Sequence, residues 1–269
     1  MSVSYIHCQF SRVVSGSATF QRGFWSRAGA RRSQEEGTVD TRKYLMATHQ
    51  ALSGVTDEAF LQRMVRTHAE RYGESFWDFF TTHVAPRLPP RPVIVDLGCG
   101  PGLFVQALSE RYPQATLYGY DVTPAMIAYG QHLPYTGARP TLALHDVATQ
   151  PLPLATGTVH LVSMTSVLHL FDDPFPVLAE VHRLLAPTGL FMLHDWIRRP
   201  LPDYLAWNME SSEDDPDITR QRGLRLFPVH NKYTTADWQW LLHEADFAVL
   251  RCGQLRPTHR MFVAIPTGS

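Results

Sequence analysis

The densest chemistry in the chain lies between Val93 and Phe104, VIVDLGCGPGLF, where an apolar run reaches Asp96 and passes through Gly98, Cys99, Gly100 and Gly102 into a helical stretch. Glycines in such a turn adopt backbone conformations closed to other residues and let the main chain approach a ligand closely. The turn follows a first strand, at the carboxyl edge where open α/β sheets bind ligands. Nineteen residues after Gly102 a second strand-like run, LYGYD, ends in Asp121. A carboxylate at that place accepts hydrogen bonds from both hydroxyls of a ribose. NAD and S-adenosyl-L-methionine both contain that ribose, and Asp96 separates them: an acid beside the turn repels a pyrophosphate and suits a ligand with an ammonium group and a sulfonium centre.

The elements that must hold these residues follow from periodicity. PVIVD, ATLYGYD, TLALHD, HLVSMT and GLFMLHD alternate with helical stretches at about Leu103 to Arg111, Pro124 to Gly130 and Pro174 to Leu185. This alternation predicts a parallel sheet covered on both faces, and the short, continuously apolar strands agree. Thr235 to Ala245 reads as a helix, followed by DFAVLRCG and THRMFVAI as an antiparallel edge hairpin. Before the sheet, Thr56 to about Ala85 reads as two helices broken near Gly73, with Thr56, Asp57 and Glu58 as an acidic start. The expected organisation is an extension at 1–45, a helical lid at 46–90 and a core at 91–269 with a cap at 197–234. Residues 1–34 hold five Arg, seven Ser and no acid, which fits a disordered extension or, as the alternative, a transit peptide.

Taken in order, these motifs resemble the class I S-adenosylmethionine-dependent methyltransferases of the small-molecule type. DLGCGPG is similar to the family's first motif and YGYDVTPAMI to its second; the resemblance implies that Asp121 holds the ribose, with Val122 and Met126 near the adenine. LHDVATQPLP would place Asp146 at the adenine amino group and Val147 on its ring, and VHLVSMTSVLHLFDDP, which carries Thr165, resembles the fourth-strand motif. The resemblance covers Val93 to Asp195 densely and departs at Thr188, where the family often has Gly. It implies a doubly wound Rossmann-like sheet of order 3-2-1-4-5-7-6 with the last strand antiparallel. The implied cofactor is S-adenosyl-L-methionine, leaving S-adenosyl-L-homocysteine as product.

Methyl transfer is an in-line displacement on an activated methyl group, so positioning and exclusion of water matter most. A base is needed only for a protonated acceptor, and candidates stand after the fourth and fifth strands: His169, His194 and Asp195. Asp195 is the preferred one, as base or as anchor for a cationic substrate. Asp172 and Asp173 read as a helix cap rather than a magnesium site, and no metal is expected. The long segment from Ile197 to Thr234 reads as a substrate-binding insertion. Its Tyr204, Trp207, His230, Asn231 and Tyr233, with Trp196 and the earlier Tyr72 and Trp77, are the candidate acceptor contacts. Core packing is the alternative for each aromatic.

Composition bounds the partners. Against 25 Asp plus Glu stand 24 Lys plus Arg, a net charge of −1, so no global basic field draws the chain to nucleic acid or an anionic membrane. The acidic stretch ESSEDDPD at 210–217 also speaks against a nucleic-acid substrate. Cys8, Cys99 and Cys252 lie far apart without CxxC spacing, which suggests neither a disulfide framework nor a thiolate zinc site and fits a reducing compartment. No apolar run is long enough to span a bilayer. The expectation is a cytoplasmic monomer or homodimer that methylates N, O or S of a small molecule. A methionine-like thioether converted to a sulfonium is one alternative, a non-catalytic cofactor-binding subunit another, and a nicotinamide oxidoreductase a third.

Overall fold

The computed structural model describes residues 48–268, and the expected extension at 1–45 lies outside them. Four short helices come first: α1 (His49–Ser53), α2 (Asp57–Arg66), α3 (His68–Arg71) and α4 (Glu74–His83). Thr48 and Thr56 cap the first two through their side-chain oxygens, on Ala51 N and Ala59 N. Gly73 precedes α4, where the sequence places the break; a second break at Thr67 divides the upstream helix. α4 buries Phe76, Phe79 and Phe80, so its aromatic face, rather than helix propensity, fixes it to the core.

The core then alternates as its periodicity requires: β1 (Val93–Leu97), α5 (Leu103–Arg111), β2 (Thr116–Asp121), α6 (Pro124–Gly130), β3 (Thr141–Leu144), β4 (Val159–Thr165), α7 (Phe175–Leu184) and β5 (Leu185–Trp196). After β5 come α8 (Leu201–Glu210), α9 (Pro216–His230), α10 (Thr235–Glu244), β6 (Phe247–Arg256) and β7 (His259–Pro266). The seven strands take the order β3-β2-β1-β4-β5-β7-β6. The first five are mutually parallel, while β7 runs antiparallel to both β5 and β6. The implied order and the edge hairpin are therefore present. The hairpin turn is tighter than the sequence suggests, since Gln254 to Arg256 remain in β6.

Both faces of the sheet are dry. On one, Val95, Val162, Phe191 and Leu193 pack with Val177, Val181 and Leu184 of α7 and Trp238 and Leu242 of α10. On the other, Ile94, Leu161, Leu190 and Met192 meet Phe104 and Leu108 of α5 and the phenylalanines of α4. Each such side chain contributes about 1.5–3 kcal/mol of burial, so the carboxyl ends of the strands are a rigid rim. The segment at 197–234 is mostly α8 and α9, packed on each other, and a Thr234–Asp237 capping box starts α10. Among the described residues no helix is long and apolar enough to cross a membrane.

Candidate active site

A cavity opens at the carboxyl rim, lined on one side by the β1 turn and the ends of β2 to β4 and on the other by α1 to α3, α8, α9 and the β6–β7 hairpin. At its first end the backbone does most of the work. Gly98, Gly100 and Gly102 have φ of 70°, 53° and 75°, the left-handed region in which a Cβ is strained. A Cβ on Gly98 would stand 2.3 Å from Val167 Cγ2, whereas one on Gly100 would meet nothing within 4 Å. Gly98 thus serves packing, and Gly100 keeps its Cα bare at the edge of the cavity.

Asp121 organises this turn. Its Oδ2 accepts the Gly100 N–H at 2.9 Å and its Oδ1 the Thr123 N–H at 2.8 Å. Burial raises its pKa while these backbone donors oppose the rise. Cys99, Val122, Met126, Asp146, Val147 and Thr165 line the same end. Asp146 accepts the Ala148 N–H at 3.0 Å, which fixes the loop that presents Val147.

Asp96 and Gly102 are not on the cavity wall. The sequence places Asp96 beside the ligand's ammonium; instead it is 3% exposed beneath the turn, accepting the Ser163 Oγ–H at 2.6 Å. Burial pushes its carboxyl up to about 7.

The second end is rich in rings and cations. Trp196 stacks on His230 at 3.7 Å and 12° and Trp207 stands edge-on to Trp196; Tyr72, by contrast, stacks on Phe104 at 4.8 Å and stands beside Asp96, Cys99 and Thr165 of the first end. Trp196, Trp207, His230 and Tyr72 line the cavity. Trp77, Tyr204, Asn231 and Tyr233 do not: Trp77 lies under the Arg111 guanidinium, Tyr204 is wholly buried against His230, Asn231 ends α9 and accepts the Arg199 N–H, and Tyr233 packs on Trp238. These four are packing and capping residues, which corrects their expected place among acceptor contacts.

Asp195 also departs from its expected position. It is fully buried and its carboxylate accepts from His169 Nδ1 at 2.6 Å, His169 N at 3.2 Å and Trp196 N at 2.7 Å. It therefore orients His169 rather than facing a ligand. His194 is 1% exposed with neither ring nitrogen bonded among the described residues, and burial pushes it down to about 3. Such an imidazole is uncharged at neutral pH and lies off the cavity wall. Asp173 accepts the Phe175 N–H at 3.0 Å, the helix-start role read from the sequence.

Sequence reasoning missed the cations. Arg63, Arg71 and Arg256 all line the cavity, and none has an ion-pair partner among the described residues. Arg71 donates to Met64 Sδ and Thr67 Oγ1, and burial lowers it to about 10. Burial likewise lowers Arg63 and Arg256. Glu70 is an acid on the same wall. Of the acidic stretch, Ser211 lines the cavity and Asp214 pairs with Arg222 while acting electrostatically on Arg63, whereas Asp215 caps α9 and Asp217 pairs with Arg220. Arg63, Thr67 and Arg71 recur every four residues, a one-face signal that was available. His49, Ser166 and His259 were also missed; Ser166, with φ of 57°, places its Oγ 3.0 Å from His259 Nε2.

Comparison with known proteins decides the family of the central segment, because residues 95–193 match the methyltransferase domain model. Residues 95–193 are a methyltransferase domain of the class I fold. Over 106 residues the chain is 34% identical to the malonyl-[acyl-carrier protein] O-methyltransferase of Legionella pneumophila, covering 39% of this chain and 36% of that protein. Over 113 residues it is 32% identical to the trans-aconitate 2-methyltransferase of Pseudomonas aeruginosa, covering 42% and 38%. The chain thus spans little more than a third of the curated relatives it matches. The plantazolicin methyltransferase BpumL, solved with SAH, superposes with a TM-score of 0.63 at 15% identity, over 83% of this chain and 95% of that one. That likeness concerns the methyltransferase fold, and its breadth extends the fold well beyond the matched segment.

Proposed function

We propose that the chain transfers the methyl group of S-adenosyl-L-methionine to a small molecule that carries an anionic group. One observation carries this reading: the methyltransferase domain and three guanidinium groups that form no ion pair among the described residues line one cavity.

The donor end fits the cofactor. The space beside Gly100 admits a close ligand, and Asp121, already fixed by two backbone donors, retains lone pairs for ribose hydroxyls. Val122, Met126 and Val147 offer apolar surface to the adenine, and Asp146 an acceptor for its amino group. When bound, the cofactor supplies a methyl group already activated on a sulfonium sulfur. The chain's own task is then positioning: the glycine turn and Asp121 hold the donor, Tyr72 stands beside Asp96, Cys99 and Thr165 at the same end, and the rings of Trp196 and Trp207 shape the opposite wall and exclude water.

Acceptor charge follows from the guanidinium groups. Desolvated arginines that form no salt bridge among the described residues, with only Glu70 and Asp214 acting on them as acids, favour an anion, each charge-assisted hydrogen bond being worth about 1.5–3 kcal/mol. The relatives named for trans-aconitate and for a malonyl carrier protein are named for acceptors that bear carboxylates. A carboxylate oxygen needs no base to accept a methyl group. A thioether acceptor, which becomes cationic, is disfavoured by the same arginines.

Calorimetric titration of the full chain with S-adenosyl-L-homocysteine tests the donor end. Micromolar binding that is lost in Gly100→Val with an unchanged circular dichroism spectrum is the expected result. Equal binding by that variant defeats the assignment.

A further inference from the structure

Three imidazoles from distant parts of the chain converge where α1, the turn after β4 and the end of α9 meet. His49 Nε2 lies 3.1 Å from His169 Nε2 and 3.2 Å from His230 Nε2. One ring nitrogen from each lies within 4.8 Å of the other two. We propose that these three histidines bind a divalent transition-metal cation of the zinc class.

Geometry supports this first. A tetrahedral cation with bonds of about 2.0–2.1 Å holds its ligand nitrogens about 3.3 Å apart, close to both distances above. The rings are also held from behind. Asp195 Oδ1 accepts the His169 Nδ1–H at 2.6 Å, and the Tyr204 hydroxyl bonds His230 Nδ1 at 2.8 Å. A carboxylate behind a histidine fixes the tautomer whose Nε2 carries a bare lone pair and raises its basicity as a ligand.

Proton counting points the same way. With His169 Nε2 unprotonated, the His49 Nε2–H can donate to it, but His49 then has no Nε2 lone pair left to accept from His230. A single hydrogen thus serves three facing nitrogens poorly, whereas one cation accepts all three lone pairs. Burial holds His49 and His230 in the neutral form that ligates metals. Neutral imidazole donors suit zinc and its transition-metal neighbours rather than magnesium or calcium.

Three protein ligands leave a coordination position open, the arrangement of catalytic rather than structural zinc sites. His49 and His230 both line the cavity, so that position faces the space assigned to the acceptor and is free for an anionic oxygen or a sulfur. The ligands are 120 and 181 residues from His49 in sequence, so no short metal-binding spacing announces them, and the proposal departs from the sequence-based expectation of no metal.

The test uses the full chain stripped with a chelator, incubated with Zn²⁺ alone, passed over a desalting column and assayed for metal by atomic emission. One zinc per chain is expected, with retention at least tenfold weaker in His49→Ala and His230→Ala. Failure of the unsubstituted chain to retain zinc, or equal retention by a folded His49→Ala, overturns the site. Co²⁺ substitution of the unsubstituted chain guards against misfolded variants: intense visible bands of a four-coordinate centre are expected, and the pale spectrum of a hexa-aquo ion defeats the proposal. Zinc retention is read without S-adenosyl-L-methionine, so its failure and the failure of the methyl-transfer reading are separate results.

Discussion

The two ends of the cavity are built by different means. At the donor end a turn of consecutive residues, the carboxylates of Asp121 and Asp146 and a few strand ends supply most of the lining, and these fall within or beside residues 95–193, the matched domain. At the acceptor end His49, Arg63, Arg71, Trp207, His230 and Arg256 come from outside that segment. Local backbone conformation defines the first, and long-range packing of side chains defines the second. A common donor can therefore be held by a shared segment, while acceptor choice is written into elements that are free to vary.

The comparison breaks most sharply at Asp121. Its replacement by Ala removes the carboxylate that orders Gly100 and Thr123 and, on the proposed reading, two hydrogen bonds from ribose hydroxyls. At about 1.5–3 kcal/mol each, the two ribose bonds alone predict a loss of cofactor affinity of about 10²-fold or more by calorimetry. The next effect lies at the other end: Arg71→Met should raise the acceptor KM by about 10–100-fold, since one charge-assisted bond is lost, and leave the homocysteine-product affinity within twofold. A fall in both affinities together would show that the ends are not independent.

The donor end was legible because its chemistry lies in contiguous residues. Gly98, Gly100 and Asp121 follow from spacing, the strand order from the family resemblance, and helices α5 and α6 coincide with their predicted bounds. The acceptor end was not. The aromatic count in 197–234 drew attention to Tyr204, Asn231 and Tyr233, which are consumed by packing and capping. His49 and Arg256 carry no local signal and gain meaning only through contacts across the chain. Asp195 was noticed for its place at a strand end, but sequence cannot say that three donors already occupy its oxygens.

The two ends should also respond to pH with opposite sign. His194 sits at about 3 against an ordinary value near 6.5, and His49, His230 and His259 are also lowered by burial. The unfolded chain takes up protons that these sites refuse, so their contribution is full above about pH 6.5 and is lost as pH falls below it. Asp96 is raised to about 7 from 3.8. Its contribution is present below about pH 4 and is lost as pH rises through 7. Chemical denaturation across pH 4.5–8 should show His194→Phe flattening the acid limb, and Asp96→Asn stabilising the cofactor-free chain at pH 8 but not at pH 4.5. Gly100→Ala should have the smallest effect on stability, about 1–2 kcal/mol from left-handed strain alone, because no neighbour stands within 4 Å of the new Cβ.

The central claim, that one cavity joins a donor site to an anion-selecting acceptor site, is tested most directly by label transfer. The full chain is incubated with S-adenosyl-L-methionine labelled in its methyl group and a cell extract divided into anionic small metabolites, other small metabolites and macromolecules. Protein-dependent label in the anionic metabolite fraction, as a product carrying one added methyl group, is the predicted result. Label confined to protein, to RNA or to cationic metabolites, or no transfer by a chain that binds S-adenosyl-L-homocysteine, would contradict it.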